Sequence, residues 1–197
     1  MAAALVKVPG MEHLMQLATI TINQTSSGYH GSNYRILSEG DVLFNLNEVV
    51  PDTIFRGGSH RAFIIDGVEN TGRKVFTLRR TRGWMSDKVE LFLDNVLVSV
   101  VEMETTFLTP VIHINDPQGN FVLRLKGSVA NSSHLELQTN TKLTIGAVRR
   151  EQRGWKTRLF TYNDDYTVTF PADLAVHFKV AVIVACVFAD FRFHEGK

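Results

Sequence analysis

From residue 18 to about residue 170 the chain alternates apolar and polar positions in short runs. Ala18, Ile20 and Ile22 alternate with Thr19 and Thr21, the pattern of a half-buried strand. Residues 34–37, then Ser38-Glu39-Gly40-Asp41, then residues 42–46 read as two strands joined by a tight hairpin. Residues 74–78, 89–93 and 97–101 extend the β series. Before residue 170 the 3.6-residue period shows best over residues 11–17, which predicts one short helix.

The pattern then changes. Residues 180–189 contain no polar side chain, and this run includes Val180, Val182, Ile183, Val184, Cys186 and Phe188. A surface helix needs a polar face and this segment has none, so something must enclose it. Ten apolar residues fall well short of the roughly twenty that a bilayer span requires. Stretching the segment to 174–193 takes in His177, Lys179, Asp190 and Arg192. The reading is a buried core helix over 173–193, with Asp173 after Pro171 as its N-cap. A membrane span with its charges near the two ends is the alternative.

A weak internal repeat organises the β region. Residues 61–66, a turn at Gly72 and residues 75–80 form one unit; residues 111–116, a turn at Gly119 and residues 122–127 form another. A further strand and a hairpin partner follow each. Repeats of about fifty residues that each supply roughly four strands predict a closed or nearly closed antiparallel barrel. Closure removes exposed strand edges. An interior helix fills a barrel too wide for side chains alone to pack.

The length fits one domain, read as residues 9–194 with a short extension at 1–8. The net charge of +1 gives no global field to draw nucleic acid, so no nucleic-acid partner is expected. With Cys186 as the one cysteine, a disulfide framework is excluded. The first residues lack a basic stretch followed by a long apolar core, so a signal peptide is not expected.

Several motifs together resemble the phospholipid scramblase family, which shares the tubby C-terminal fold with the plant LURP-one-related proteins. Phe160-Thr161 with Asp164, Phe170-Pro171-Ala172-Asp173-Leu174 and Ala185-Cys186-Val187-Phe188-Ala189-Asp190-Phe191 are similar to the family's closing segments. Pro9-Gly10-Met11-Glu12-His13-Leu14 resembles its start, and Asn33-Tyr34-Arg35-Ile36 its first strand. Pro110-Val111-Ile112-His113-Ile114 and Val122-Leu123-Arg124-Leu125-Lys126-Gly127 fit its middle. The order and spacing of these motifs carry the resemblance. It implies a mainly β fold, a barrel of about twelve antiparallel strands around the C-terminal hydrophobic helix. It also implies energy-independent, calcium-stimulated movement of phospholipids between leaflets, at the cytoplasmic face of the plasma membrane or other membranes.

The chain departs from the family pattern at the acidic segment that the resemblance assigns to Ca2+. Tyr162 stands where the family's first aspartate falls, whereas Asp164 and Asp173 are kept and Asp165 takes an asparagine position. Calcium binds six to eight oxygens with affinity that follows carboxylate count. Asp164, Asp165 and Asp173 therefore predict a weak metal site. The cysteine-rich stretch of many animal members is replaced by Pro51-Asp52-Thr53-Ile54-Phe55-Arg56-Gly57-Gly58. No lipidation site is apparent there, so a partly soluble protein fits as well as a membrane-resident one.

Basic residues supply another membrane contact. Arg149, Arg150, Arg153, Lys156 and Arg158 surround Trp155, opposed within the cluster by Glu151. Tryptophan among cations suits an anionic headgroup layer, which makes these six residues the candidate lipid-binding set. Arg79, Arg80, Arg82 and Trp84 form a smaller cluster, read as a solvated strand edge. No nucleophile elbow, phosphate loop or paired-carboxylate motif stands out, so an enzyme is not expected. The expected function is facilitated phospholipid movement. The alternative is a non-transporting, membrane-associated module that binds phosphoinositide or protein partners.

Overall fold

The computed structural model describes residues 9–26, 31–49, 62–81, 87–104, 109–127, 133–151 and 165–194. A 3₁₀ turn, Glu12–Met15, precedes twelve strands. They are β1 (Thr19–Ser26), β2 (Asn33–Ser38), β3 (Asp41–Val49), β4 (Phe63–Glu69), β5 (Lys74–Arg80), β6 (Lys88–Leu93), β7 (Val96–Glu104), β8 (Val111–Asn115), β9 (Phe121–Gly127), β10 (His134–Thr139), β11 (Thr144–Glu151) and β12 (Asp165–Thr169). Helix α1, Val176–His194, follows β12.

Each strand pairs antiparallel with its neighbour in sequence, and β1 pairs with β12 to close the barrel. Closure follows from local chemistry repeated along the chain. The two-residue turns Glu39-Gly40 and Asp94-Asn95 both take left-handed backbone angles, which matches the twist of the strands they join. Register shifts fall near the turn in β2/β3, β4/β5, β6/β7, β8/β9 and β10/β11. Such bulges add twist and bend the sheet, which a closed barrel requires. At Gly67 a Cβ would run into the ring of Phe76, its cross-strand partner, so the absent side chain lets the ring lie over the strand.

The alternation read from sequence sets the two faces. Ile20, Ile22, Tyr34, Ile36, Phe44 and Leu46 are buried inward on β1–β3, while Thr21, Asn23 and Arg35 point outward. Helix α1 fills the interior. Every residue from Val180 to Phe191 is buried, and the helix packs against β6, β7 and β8. Val180, Val182, Ile183, Val184, Cys186 and Phe188 are each at most 2% exposed, which answers the question of what encloses the apolar run. Among the described residues no helix is long and apolar enough to cross a membrane.

The helix start differs from the expectation. Residues 171–174 make a turn in which the Leu174 amide donates to the Pro171 carbonyl. The Ala175 carbonyl takes the first helical bonds, from Phe178 at 2.9 Å and Lys179 at 3.1 Å. Asp173 is exposed in that turn and does not cap α1, which begins at Val176.

Candidate functional site: the two ends of the barrel

The strand directions give the barrel two unlike ends. At one end sit the short hairpins between β2 and β3, β4 and β5, β6 and β7, β8 and β9, and β10 and β11, along with the start of α1. The other end, here the rim, carries the starts of β2, β4, β6, β8, β10 and β12 and the end of α1.

At the hairpin end Lys179 is fully buried, and its ammonium donates to backbone carbonyls. Nζ lies 2.8 Å from Leu14 O, 3.2 Å from Met15 O, 2.8 Å from Leu17 O and 2.7 Å from Ala172 O. It also stands 5.2 Å from the centre of the Phe170 ring. The carbonyls of the 3₁₀ turn and the β12–α1 connection thus keep a buried ammonium hydrogen-bonded inside an apolar barrel. Burial lowers the Lys179 pKa, and the charge of Asp173 opposes that shift.

At the rim Asp190, 1% exposed, receives hydrogen bonds from three strands. Gln24 Nε2 on β1 donates at 2.9 Å, Tyr34 OH on β2 at 2.8 Å and Tyr166 OH on β12 at 2.6 Å. Charge-assisted bonds of this kind keep a carboxylate in an apolar barrel. Elsewhere on the rim, before β6, Asp87 pairs with Arg80 and, at 2.8 Å, with Arg192 Nε on α1. Arg80 is 4% exposed and lies over the rings of Phe63 and Phe188, at 5.9 and 5.2 Å. Phe191 stacks on Phe63 with ring centres 4.3 Å apart. Burial pushes the Cys186 thiol far above its usual pKa, and the neighbouring Asp190 charge adds to that.

The acidic set expected from the resemblance is not brought together. Asp165 stands at the rim, where its carboxylate accepts from Asn23 Nδ2 at 2.6 Å. Asp173 lies past the far end of β12. The strand alone carries the chain roughly 16 Å, against calcium–oxygen bonds of about 2.3–2.6 Å. Asp165 and Asp173 therefore cannot share an ion. Asp164 lies outside the described residues. Among the described residues no group of three or more His, Cys, Asp or Glu could hold a metal. The described carboxylates do not fit a calcium site.

The basic set is divided too. Arg149 and Arg150 are adjacent on β11, and successive strand residues point to opposite faces. Arg149 is exposed on the outer wall beside His134 and Thr167. Arg150 shares the inward face with Val148, opposite the buried Tyr166, and its Nε is buried. These two arginines are not one patch. Arg153, Trp155, Lys156 and Arg158 lie outside the described residues, as do Arg82 and Trp84. Arg79 and Arg80 split in the same way, one outward and exposed, the other inward.

Sequence reasoning missed the two polar anchors of α1. Lys179 and Asp190 drew notice only as charges near the ends of an apolar run. Their spacing of eleven residues is close to three helical turns, so both fall on one face, and that was the available signal.

The outer wall bears Asp66, Glu90, His113, Arg124 and Glu136 at outward positions well inside their strands. A membrane-spanning barrel is apolar outside and polar inside, the reverse of this arrangement.

Comparison with known proteins places this architecture. In solved structures, a crystal structure of an Arabidopsis thaliana protein matches with a TM-score of 0.53 at 15% identity. That match covers 88% of this chain and 91% of the other, and it shows a shared fold. Human phospholipid scramblase family member 5 is 27% identical over 95% of this chain and 78% of its own length. Bovine phospholipid scramblase 2 is 27% identical over 95% of this chain and 72% of its own. Mouse phospholipid scramblase 1 is 25% identical, with this chain spanning 64% of its length. The scramblase family model matches residues 50–196, most of the barrel and all of α1, and the chain belongs to the scramblase family.

Proposed function

We propose that this protein facilitates the movement of phospholipids between the leaflets of a bilayer, as a peripheral barrel rather than a spanning one. Family membership across residues 50–196 is the observation that carries the reading. The relatives named phospholipid scramblase align over 95% of this chain, so the resemblance extends through barrel and helix together. The geometry narrows the route. Since α1 packs the lumen, no headgroup passes through the barrel, and lipid moves along its outside. This transport makes and breaks no covalent bond. It does not rest on a calcium ion shared by Asp165 and Asp173, which stand at opposite ends of β12.

The test is dithionite quenching of a fluorescent phospholipid in proteoliposomes, with calcium titrated against chelator. Protein-dependent quenching of inner-leaflet lipid is expected, and Asp173→Ala should leave any calcium response unchanged. Quenching confined to the outer leaflet, from folded and vesicle-bound protein, would overturn the transport reading. Loss of a calcium response in Asp173→Ala would restore that residue to the metal set.

A further inference from the structure

We infer that the rim, and not the hairpin end, docks on the surface of an anionic phospholipid bilayer, with Val49 and Ile64 as its apolar contact. The inference deepens the lipid reading above and rests on it, because it names the surface of this chain that meets the membrane. Val49 and Ile64 are 48% and 37% exposed, and they are direct cross-strand partners on β3 and β4. Partners of this kind form one continuous apolar spot, because their Cβ atoms lie within about 5.5 Å. The next residue in the same row is Arg79 on β5, exposed and held 5.0 Å from the ring centre of Phe92. An apolar pair flanked by a fixed guanidinium suits the headgroup boundary, where side chains enter the acyl edge and cations meet lipid phosphate.

Charge separates the two ends. Around the rim wall Arg79, Lys126 and Arg149 are exposed on β5, β9 and β11, so cations occur on widely spaced parts of the barrel. Among the described residues the exposed acids of the rim wall are two, Glu104 and Glu151, which keep their charge while bonded to His113 and Thr167 and are outnumbered by these three cations. Among the described residues of the hairpin end the exposed acids Glu12, Glu39, Asp41, Asp94 and Asp173 outnumber the exposed bases Arg73, Lys74 and Lys142. Its Arg73 and Lys74 are drawn to Glu69 and Asp66. An anionic surface attracts the first end and repels the second. Val96 and Leu143, 63% and 64% exposed, belong to hairpins of the second end. Val96 opens β7 straight after Asp94-Asn95 and Leu143 immediately precedes β11, and isolated exposed apolar residues of this kind are ordinary for a protein surface.

The experiment places an environment-sensitive dye at four positions of the full chain, one at a time: Val49→Cys, Ile64→Cys, Val96→Cys and Leu143→Cys. Cys186 is buried and does not compete for the label. On phosphatidylserine-containing vesicles the dye at 49 and 64 should shift to the blue and lose quenching by iodide, while 96 and 143 stay wet. Arg79→Glu removes a cation and adds an anion. At roughly fivefold in partition per charge, it should lower vesicle binding by on the order of 25-fold. Burial of the dye at 96 or 143 in place of 49 and 64 overturns the proposal. So does the absence of a shift at all four, which would assign the apolar pair to a protein partner instead. Docking is read without lipid movement, so the two readings fail separately. Protein that docks by the rim yet moves no lipid sinks transport alone. Protein that moves lipid with Val96 buried and Ile64 wet sinks the docking face alone.

Discussion

Asp190 is an anion in a place chosen for hydrocarbon, near the C-terminal end of a helix whose dipole disfavours it. It is held there by donors from β1, β2 and β12, so its removal leaves Gln24, Tyr34 and Tyr166 without an acceptor they now use. Buried donors stripped of a charged acceptor cost more than the bond was worth. Asp190→Ala should therefore destabilise the fold by about 3–5 kcal/mol. Asp190→Asn keeps the shape, and a tyrosine hydroxyl can rotate to receive its new N–H, so about half that loss is expected. Urea midpoints for the two variants decide it: equal midpoints for Ala and the native chain would mean that the carboxylate is not an anchor. His177 offers a pH reading at the same scale. Burial lowers its pKa, and its ring lies 4.2 Å from that of Phe178. The unfolded chain takes up this proton near pH 6.5, while the folded chain takes it up at lower pH. Between those values the unfolded state holds more protons, so stability is full above about 6.5 and falls as the pH drops. Thermal midpoints measured from pH 7.5 down to 5.5 should fall more steeply in the native protein than in His177→Gln. Parallel slopes would remove His177 from the account.

Element by element, α1 is tethered by its two ends and packed by its middle. Lys179 reaches the 3₁₀ turn and the β12–α1 connection, and Asp190 reaches β1, β2 and β12. Both tethers fall on the part of the barrel where its first and last strands meet, while the apolar faces pack on β6, β7 and β8. The helix thus bridges the closing seam to the opposite wall. Lys179→Met keeps volume and loses the ammonium, which takes a donor from the carbonyls of Leu14, Met15, Leu17 and Ala172 and costs about 2–4 kcal/mol. Hydrogen exchange should quicken over residues 11–18 and at the start of α1, with the middle strands less affected. Uniform quickening would mean that Lys179 is not a local clamp. Much of this element level was legible in the sequence. Alternation marked β1, the Glu39-Gly40 turn marked the β2/β3 hairpin, and the unbroken apolar run marked α1 as enclosed. What eluded reading was set by tertiary partners. Asp173 has the chemistry of an N-cap, but the turn at 171–174 and the use of the Ala172 carbonyl by Lys179 put the helix start after it. A run of arginines reads as one patch in sequence, yet a strand sends Arg149 outward and Arg150 inward. The carboxylates Asp165 and Asp173 share a linear motif and stand at opposite ends of the barrel.

For the molecule as a whole, the decisive question is whether α1 leaves the barrel when the protein meets a bilayer. Extraction would strip the inward faces of twelve strands of their packing partner and expose them together with the helix. Each valine, isoleucine or phenylalanine transferred from core to water costs about 1.5–3 kcal/mol. Lipid could take up the helix side of that cost but not the barrel side, since the inward wall would have only itself or water to contact. The tethers at Lys179 and Asp190 would break as well, each leaving a charge that must be carried into or past hydrocarbon. These terms point the same way, and the helix is expected to stay in place. Cys186, in the middle of α1 and 2% exposed, reports directly on this. In free protein its thiol should resist alkylation until urea unfolds the chain, because burial disfavours the reactive thiolate. In vesicle-bound protein that is moving lipid, it should resist a water-soluble and a lipid-soluble maleimide alike. Labelling by the lipid-soluble reagent at a rate that tracks scrambling would show that the helix enters the bilayer, and the peripheral-barrel route would be wrong. Protection throughout active scrambling would leave the outer wall and rim as the surfaces along which lipid moves.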